Sequence, residues 1–281
     1  MDNHPGTGVL TNAKHETGIA TKSVQARELP ALDLRVKIFA DGADKASMLE
    51  MYADPRIVGF TTNPTLMRKS GVADYVAFAK EILQLIQDRP ISFEVFADEF
   101  DEMEQQALEI ASWSANAIVK VPVTNTRGEV TDEVLERLRR AGVKMNVTAL
   151  LTLQQVRRAA AILGGGPPSI ISVFAGRIAD TGRDPVPLMA AAVELLRPYP
   201  NLELIWASPR ELLNIFQADA IGCHIITATT DILRKLQLVG KNLDDYSLET
   251  VKMFYDDAKK AGYQIEADTY RTKKEDIQIV A

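Results

Sequence analysis

The segment Ala117–Val123 has the sequence AIVKVPV, an apolar run with one charged residue, Lys120. A run rich in Ile and Val is typical of a strand buried on both faces, as in a parallel sheet covered by helices. The segment alone slightly favours a lysine that extends its ammonium group to solvent at the strand end. If Lys120 is held inside instead, desolvation favours its neutral amine, which can attack a sugar carbonyl and form a Schiff base.

Short apolar runs of this kind alternate with longer amphipathic stretches along the chain. The eight predicted strands are Val36–Asp41, Gly59–Asn63, Ile91–Phe96, Ala117–Val123, Lys144–Ala149, Ser169–Ala175, Glu203–Ser208 and Cys223–Ala228. Eight βα units without a linker predict an α/β protein, a single (β/α)8 TIM barrel. An extra C-terminal helix is predicted at Tyr246–Gly262, with Gly262 as its C-cap. The alternative is a doubly wound open sheet, but the sequence does not contain the phosphate-binding fingerprint of that fold, Gly-x-Gly-x-x-Gly.

Composition defines the expected domains and the cellular context. Residues 1–30 are polar without periodicity, which predicts a disordered N-terminal arm or a docking extension. Residues 31–265 are expected to form the barrel, including helix 246–262, and residues 266–281 form a polar tail. A net charge of −6 argues against a nucleic-acid partner. No apolar run approaches the ~20 residues that span a bilayer, so no membrane partner is expected. The single cysteine, Cys223, suits a reducing cytoplasm and reads as a buried small hydrophobe, not a nucleophile.

Polar side chains recur at the carboxyl ends of seven predicted strands, where barrels place their active sites. Each alone has a simpler explanation, such as a helix cap or a turn. Their recurrence at one end predicts a single pocket, which reverses the initial preference for an exposed lysine. These residues are Asp41, Thr61-Thr62-Asn63, Glu94, Lys120, Asn146 with Thr148, Ser172 with Arg177, and Ser208 with Arg210.

The residue types in this predicted pocket suit Schiff-base chemistry on a sugar phosphate. A Schiff-base lysine needs a nearby carboxylate to move protons during carbon–carbon cleavage, and Asp41 could serve. Glu94 and Thr148 could hold the water that enters and leaves the imine. Two arginines, with the hydroxyl group of Ser208, would clamp a phosphate dianion through charge-assisted hydrogen bonds.

At these positions the chain resembles the transaldolase family, which includes the fructose-6-phosphate aldolases. The resemblance runs from about Val36 to Gly262. The motifs that carry it are Ala40-Asp41, Thr61-Thr62-Asn63-Pro64, Ile118–Pro122, Asn146–Leu150, Ile171–Ile178 with Asp180, Ser208-x-Arg210 and Ser247–Phe254. Proline stands in the middle of Ser208-Pro209-Arg210, where the long transaldolases have an aromatic residue.

The resemblance implies a role for each site residue. Lys120 would form the Schiff base and Asp41 would be the general acid/base, while Glu94 and Thr148 would position the catalytic water. The expected sugar and phosphate ligands are Asn63, Asn146 and Ser172 for the hydroxyl groups, and Arg177, Ser208 and Arg210 for the phosphate. Neither a metal nor an organic cofactor is expected, because the lysine itself acts as the electron sink.

Two positions bear on the reaction type. Phe174 and Glu94 resemble the transaldolases, whereas the aldolase branch has Tyr and Gln there. The implied function is a transaldolase of the pentose phosphate pathway that moves a dihydroxyacetone unit from sedoheptulose 7-phosphate or fructose 6-phosphate to glyceraldehyde 3-phosphate or erythrose 4-phosphate. The alternatives are a fructose-6-phosphate aldolase that releases free dihydroxyacetone, and a non-catalytic sugar-phosphate-binding barrel. A homo-oligomer is expected.

Overall fold

A computed structural model describes residues 32–265 of the 281-residue chain. Eight parallel strands form a closed barrel in chain order, and β8 pairs back onto β1. This confirms the predicted (β/α)8 barrel with its additional C-terminal helix. The predicted N-terminal arm and polar tail lie outside the described residues. The strands are β1 (Lys37–Asp41), β2 (Ile57–Thr61), β3 (Ile91–Glu94), β4 (Ala117–Pro122), β5 (Met145–Leu150), β6 (Ser169–Val173), β7 (Leu202–Trp206) and β8 (Ile225–Thr229).

Helices follow each strand and cover the outside of the barrel. They are α1 (Lys45–Tyr52), α2 (Pro64–Lys69), α3 (Tyr75–Leu85), α4 (Phe100–Trp113), α5 (Asp132–Arg140), α6 (Leu153–Leu163), α7 (Ala175–Ala179), α8 (Val186–Leu196), α9 (Leu213–Ala220), α10 (Thr230–Leu233) with the 3₁₀ turn Arg234–Leu238, and α11 (Leu243–Ala261). None of these helices has both the length and the apolar character that a membrane crossing requires.

Two short helices, α2 and α7, were not predicted from the sequence. The predicted second strand extended to Asn63, but Asn63 instead caps α2, and its Oδ1 accepts a hydrogen bond from Leu66 N at 2.9 Å. Pro64 then occupies the first helical turn, where its missing N–H group costs nothing. These two residues therefore end β2 and start a helix at the mouth of the barrel.

Side chains along each strand point alternately outward, towards the helices, and inward, into the barrel. Outward side chains such as Val119 pack against the helices. A smaller inward cluster, which includes Phe39, Ile118 and Ile225, fills the barrel interior. Lys120 is two residues beyond Ile118, so it also points inward but nearer the carboxyl end. The barrel interior is filled by packed apolar side chains, and the polar side chains lie nearer the carboxyl ends of the strands.

Helix α11 confirms its predicted C-cap but does not bury its apolar side. Gly262 adopts the left-handed conformation, with φ 69°, that a helix C-cap favours. The helix has no buried residue. The apolar side chains that are more than half exposed include Leu248, Val251, Phe254 and Tyr255.

Candidate active site

A cavity of about 430 Å³ opens at the carboxyl ends of the strands. Ten of the eleven predicted site residues line it, and the exception is Asn146. The side chains come from strands all around the barrel and from the loops that follow them. The structure therefore brings ten of the predicted residues into one pocket, while their individual roles remain predictions.

Lys120 lies inside the barrel and is only 6 % exposed. In the strand register it stands between Glu94 of β3 and Asn146 of β5. Its Nζ donates to the carbonyl oxygen of Thr62 at 2.9 Å and lies 3.2 Å from Glu94 Oε2. The lysine is thus held by partners within the cavity and does not extend to solvent.

Asp41 ends β1 and faces the same cavity. Its Oδ1 accepts a hydrogen bond from Thr61 Oγ1 at 2.8 Å, and Asn63 Nδ2 lies 3.4 Å from its Oδ2. Burial raises the pKa of Asp41 above its usual range, and the ammonium group of Lys120 opposes part of this increase. A carboxyl group whose pKa is shifted in this way can take up and return a proton more readily near neutral pH.

Glu94 and Thr148 occupy the wall on either side of Lys120. The Glu94 backbone is fixed by Tyr75, whose hydroxyl group donates to the Glu94 carbonyl oxygen at 2.9 Å. Thr148 is 1 % exposed, and its Oγ1 has no hydrogen-bond partner among the described residues. A buried hydroxyl group without a protein partner suits a small hydrogen-bonding ligand such as water.

Asn146 lies beneath the cavity, where its side chain is fully buried. Its Oδ1 accepts from Ser172 Oγ at 2.7 Å, and its Nδ2 donates to Ser92 Oγ at 3.1 Å. Ser172, by contrast, also reaches the cavity. In this structure Asn146 supports Ser172 from below, and contact between Asn146 and a sugar remains a prediction.

The two arginines lie on one side of the cavity mouth. Arg210 is held by a two-point ion pair with Asp180, and its Nη1 donates to Ser208 Oγ at 3.0 Å. The Arg177 guanidinium lies 5.8 Å from the centre of the Phe174 ring. Two guanidinium groups beside a serine hydroxyl group are suited to bind a phosphate.

Ser208 adopts an uncommon left-handed conformation, with φ 60°, that brings its backbone against Gly176. A Cβ atom at position 176 would lie 1.5 Å from the Ser208 carbonyl oxygen. The close approach of the α7 backbone to Ser208 therefore requires glycine at position 176. This contact sets the distance between the segment that carries Arg177 and the segment that carries Arg210.

We expect Gly176→Ala to lower the free energy of unfolding by about 1–3 kcal/mol, because a backbone atom must move to admit the methyl group. The control is Gly42→Ala, since no atom lies within 4 Å of a Cβ at that position. Gly42→Ala should leave the protein as stable or slightly more stable. Urea unfolding measures both variants, and equal stabilities would contradict this account of Gly176.

Sequence reasoning missed the contribution of β8. Thr227 lines the cavity, and its Oγ1 lies 2.5 Å from Thr61 Oγ1. The available signal was the alternation in Ile225–Thr229, where Thr227 and Thr229 are two residues apart and share one face of the strand. Ser92, on the same face of β3 as Glu94, was missed in the same way.

The protein is thus a (β/α)8 barrel whose polar cavity contains a buried lysine together with carboxylates and arginines. Residues 38–279 match the family model described as transaldolase/fructose-6-phosphate aldolase. The chain therefore belongs to the transaldolase/fructose-6-phosphate aldolase family.

Curated relatives agree with this assignment. A probable transaldolase of Thermoanaerobacter sp. (strain X514) is 34 % identical over 231 residues, which cover 82 % of this chain and all of that protein. A probable transaldolase of Dehalococcoides mccartyi is 32 % identical and covers 72 % of this chain and 90 % of its own length. The solved dihydrodipicolinate synthase of Rhodopseudomonas palustris, at 14 % identity and TM-score 0.52, covers 79 % of each chain and shares the fold.

Proposed function

We propose that the protein is a cytoplasmic transaldolase of the pentose phosphate pathway. It transfers a dihydroxyacetone unit from sedoheptulose 7-phosphate or fructose 6-phosphate to glyceraldehyde 3-phosphate or erythrose 4-phosphate. The observation that carries the proposal is the buried Lys120, which shares one cavity with Asp41 and with the arginine pair. A site that only bound sugar phosphates would not need a proton-transferring carboxyl group beside a buried amine.

The proposed reaction begins when the Lys120 ammonium group gives a proton to the adjacent Glu94 carboxylate and the freed amine attacks C2 of the ketose phosphate. The carbonyl oxygen takes up one proton from the attacking nitrogen and the one held by Glu94, and it leaves as water positioned by Glu94 and Thr148, so that an iminium forms on Nζ. Asp41 accepts the proton of the C4 hydroxyl group as the C3–C4 bond breaks, and the bonding electrons enter the iminium to give an enamine. The aldose phosphate departs, and the three-carbon unit stays on Lys120.

Transfer is completed by the reverse steps. The enamine carbon attacks the aldehyde of the acceptor, and Asp41 returns its proton to the new hydroxyl group. Water then hydrolyses the iminium and frees the amine of Lys120. Arg177, Ser208 and Arg210 bind the phosphate of donor and acceptor in turn. Asn63 and Ser172 position the sugar hydroxyl groups, and Asn146 takes part through its hydrogen bond to Ser172.

Phe174 supports transfer over release in this proposal. It lines the cavity beside Arg177 without adding a hydroxyl group near the water that Glu94 positions. Because an apolar ring does not assist hydrolysis, the three-carbon unit stays bound to Lys120 until an acceptor aldehyde arrives. A tyrosine would add a polar group that favours hydrolysis and release of free dihydroxyacetone, the reaction of an aldolase.

We expect turnover of fructose 6-phosphate to require erythrose 4-phosphate as acceptor. Without an acceptor, the wild-type protein should stop after about one turnover per site, while Phe174→Tyr should continue to release dihydroxyacetone. A coupled assay for glyceraldehyde 3-phosphate follows both proteins. Sustained turnover of the wild type without acceptor would identify the aldolase instead, and calorimetric binding of ketoses without any turnover would support the non-catalytic alternative.

A homo-oligomer remains part of the proposal. The exposed apolar side of α11 supports it, because monomeric proteins seldom leave so many large apolar side chains together in solvent. The mass of the particle in solution, measured by light scattering, decides between monomer and oligomer.

A further inference from the structure

The hydroxyl groups of Thr227 and Thr61 form a chain that ends on Asp41. Thr61 Oγ1 lies 2.8 Å from Asp41 Oδ1 and 2.5 Å from Thr227 Oγ1. Both threonines are buried, and they lie on β2 and β8, the two strands that flank β1. The reaction proposed above uses Asp41 but leaves Thr227 without a role.

The number of protons fixes the direction of this chain when Asp41 is ionised. A carboxylate only accepts hydrogen bonds, so Thr61 must donate its single hydroxyl proton to Asp41 Oδ1. Thr61 Oγ1 then has only lone pairs left for its other partner, and Thr227 must donate to it. The direction of donation is therefore from Thr227 to Thr61 to Asp41.

The remaining neighbours make Thr61 the main short contact that holds the carboxylate. The charged groups that face Asp41 are the Lys120 ammonium from β4 and the Glu94 carboxylate from β3. The strands beside β1 contribute the neutral hydroxyl groups of Thr61 and Thr227. The amide of Asn63 is the other donor, and its Nδ2 lies 3.4 Å from Asp41 Oδ2. A hydroxyl group that accepts one hydrogen bond becomes a better donor of the next, so Thr227 strengthens the contact that orients Asp41.

We propose that Thr227, acting through Thr61, is a positioning residue that orients Asp41 and stabilises its ionised form. The inference rests on the proposed function for the moment at which this matters, the transfer of the C4 hydroxyl proton. Thr227 itself touches neither the substrate nor the reacting atoms in this role.

The test replaces the Thr227 hydroxyl group with a methyl group of similar size. Thr227→Val should lower kcat about tenfold, which corresponds to one lost hydrogen bond, with little change in KM. The acid limb of its pH profile should move to higher pH, because the ionised form of Asp41 loses support. Thr227→Ser keeps the hydroxyl group and should restore both properties. A normal kcat and pH profile in Thr227→Val would overturn the inference.

A double-mutant cycle separates this role from a general packing effect. Once Thr61 is replaced with valine, the chain to Asp41 is already broken. Adding Thr227→Val to Thr61→Val should therefore change kcat no further. If the two substitutions reduce kcat additively, Thr227 acts independently of Thr61 and the proposal is wrong.

A measurement without substrate separates failure of this inference from failure of the proposed function. Carbon-13 NMR of labelled aspartate carboxyl groups follows the titration of Asp41, which is assigned by its absence in Asp41→Asn. A higher pKa of Asp41 in Thr227→Val, reversed in Thr227→Ser, supports the inference even if no sugar phosphate is turned over. An unchanged titration overturns it whatever the activity. Thr227→Ala serves in the same way if the valine variant does not fold.

Discussion

Lys120→Met removes the amine and should lower kcat by a factor on the order of 10⁴–10⁶, the range seen when single members of a catalytic triad are removed. The side chain is already placed for this role, with Nζ held by Thr62 and Glu94 inside the cavity. Borohydride added with fructose 6-phosphate should leave a reduced three-carbon adduct on the Lys120 peptide of the wild type. Mass spectrometry of the digested protein locates the adduct.

Two further variants separate loss of the nucleophile from loss of the ion pair. Removing Lys120 leaves the partly buried Glu94 carboxylate without its cation, which can destabilise the fold by about 3–5 kcal/mol. Lys120→Met combined with Glu94→Gln removes both charges and should fold better while remaining inactive. Lys120→Arg keeps the cation but supplies a guanidinium that is not nucleophilic, and it should form no adduct. A kcat close to that of the wild type in any of the three would refute the Schiff base on Lys120.

The sequence could predict the barrel because each strand carries its own signal. The eight apolar runs are separated by helical periodicity, and the structure places a strand within a few residues of every prediction. The bounds were less certain where one residue serves two elements. Asn63 continues the polar end of β2, but its side chain caps α2, and only the hydrogen bond to Leu66 separates the two interpretations.

The candidate site could be predicted as a set of residues but not as a set of contacts. Parallel strands in a closed barrel bring their carboxyl ends together, so the pattern alone places Asp41, Glu94 and Lys120 in one pocket. It cannot give the depth of each side chain along the barrel axis. Asn146 therefore lies below the cavity instead of lining it, and Thr227, in the strand sequence Ile-Ile-Thr-Ala-Thr, reaches the neighbourhood of Asp41.

The apolar side of α11 shows a further limit of sequence reasoning. Helical spacing identifies which residues share a face, but it does not say what covers them. Leu248, Val251 and Phe254 are spaced so that they share one side of α11, and yet they are more than half exposed. The periodicity that marks a core-facing helix is the same for a helix that packs on another molecule.

Asp41→Asn should separate Schiff-base formation from carbon–carbon cleavage. An amide cannot accept the C4 hydroxyl proton, so kcat should fall by about 10²–10⁴, the usual contribution of a general base. The Lys120 amine remains, so borohydride should still trap fructose 6-phosphate, now as an adduct of the whole ketose phosphate. The mass of the adduct on the Lys120 peptide distinguishes this six-carbon species from the three-carbon unit of the wild type.

The pH profile gives the same prediction an independent test. Burial raises the pKa of Asp41, so in the wild type the ionised base is lost, and cleavage slows, as pH falls through a value above that of an ordinary aspartate. Asp41→Asn should lack this acid limb. Asp44→Asn is the matched control, because Asp44 lies three residues further on, caps α1 from the surface, and can be replaced by another good N-cap residue. It should keep the limb. An acid limb that persists in Asp41→Asn would assign the titration to another group in the cavity. A three-carbon adduct on Lys120 in the same variant would show that carbon–carbon cleavage does not depend on Asp41.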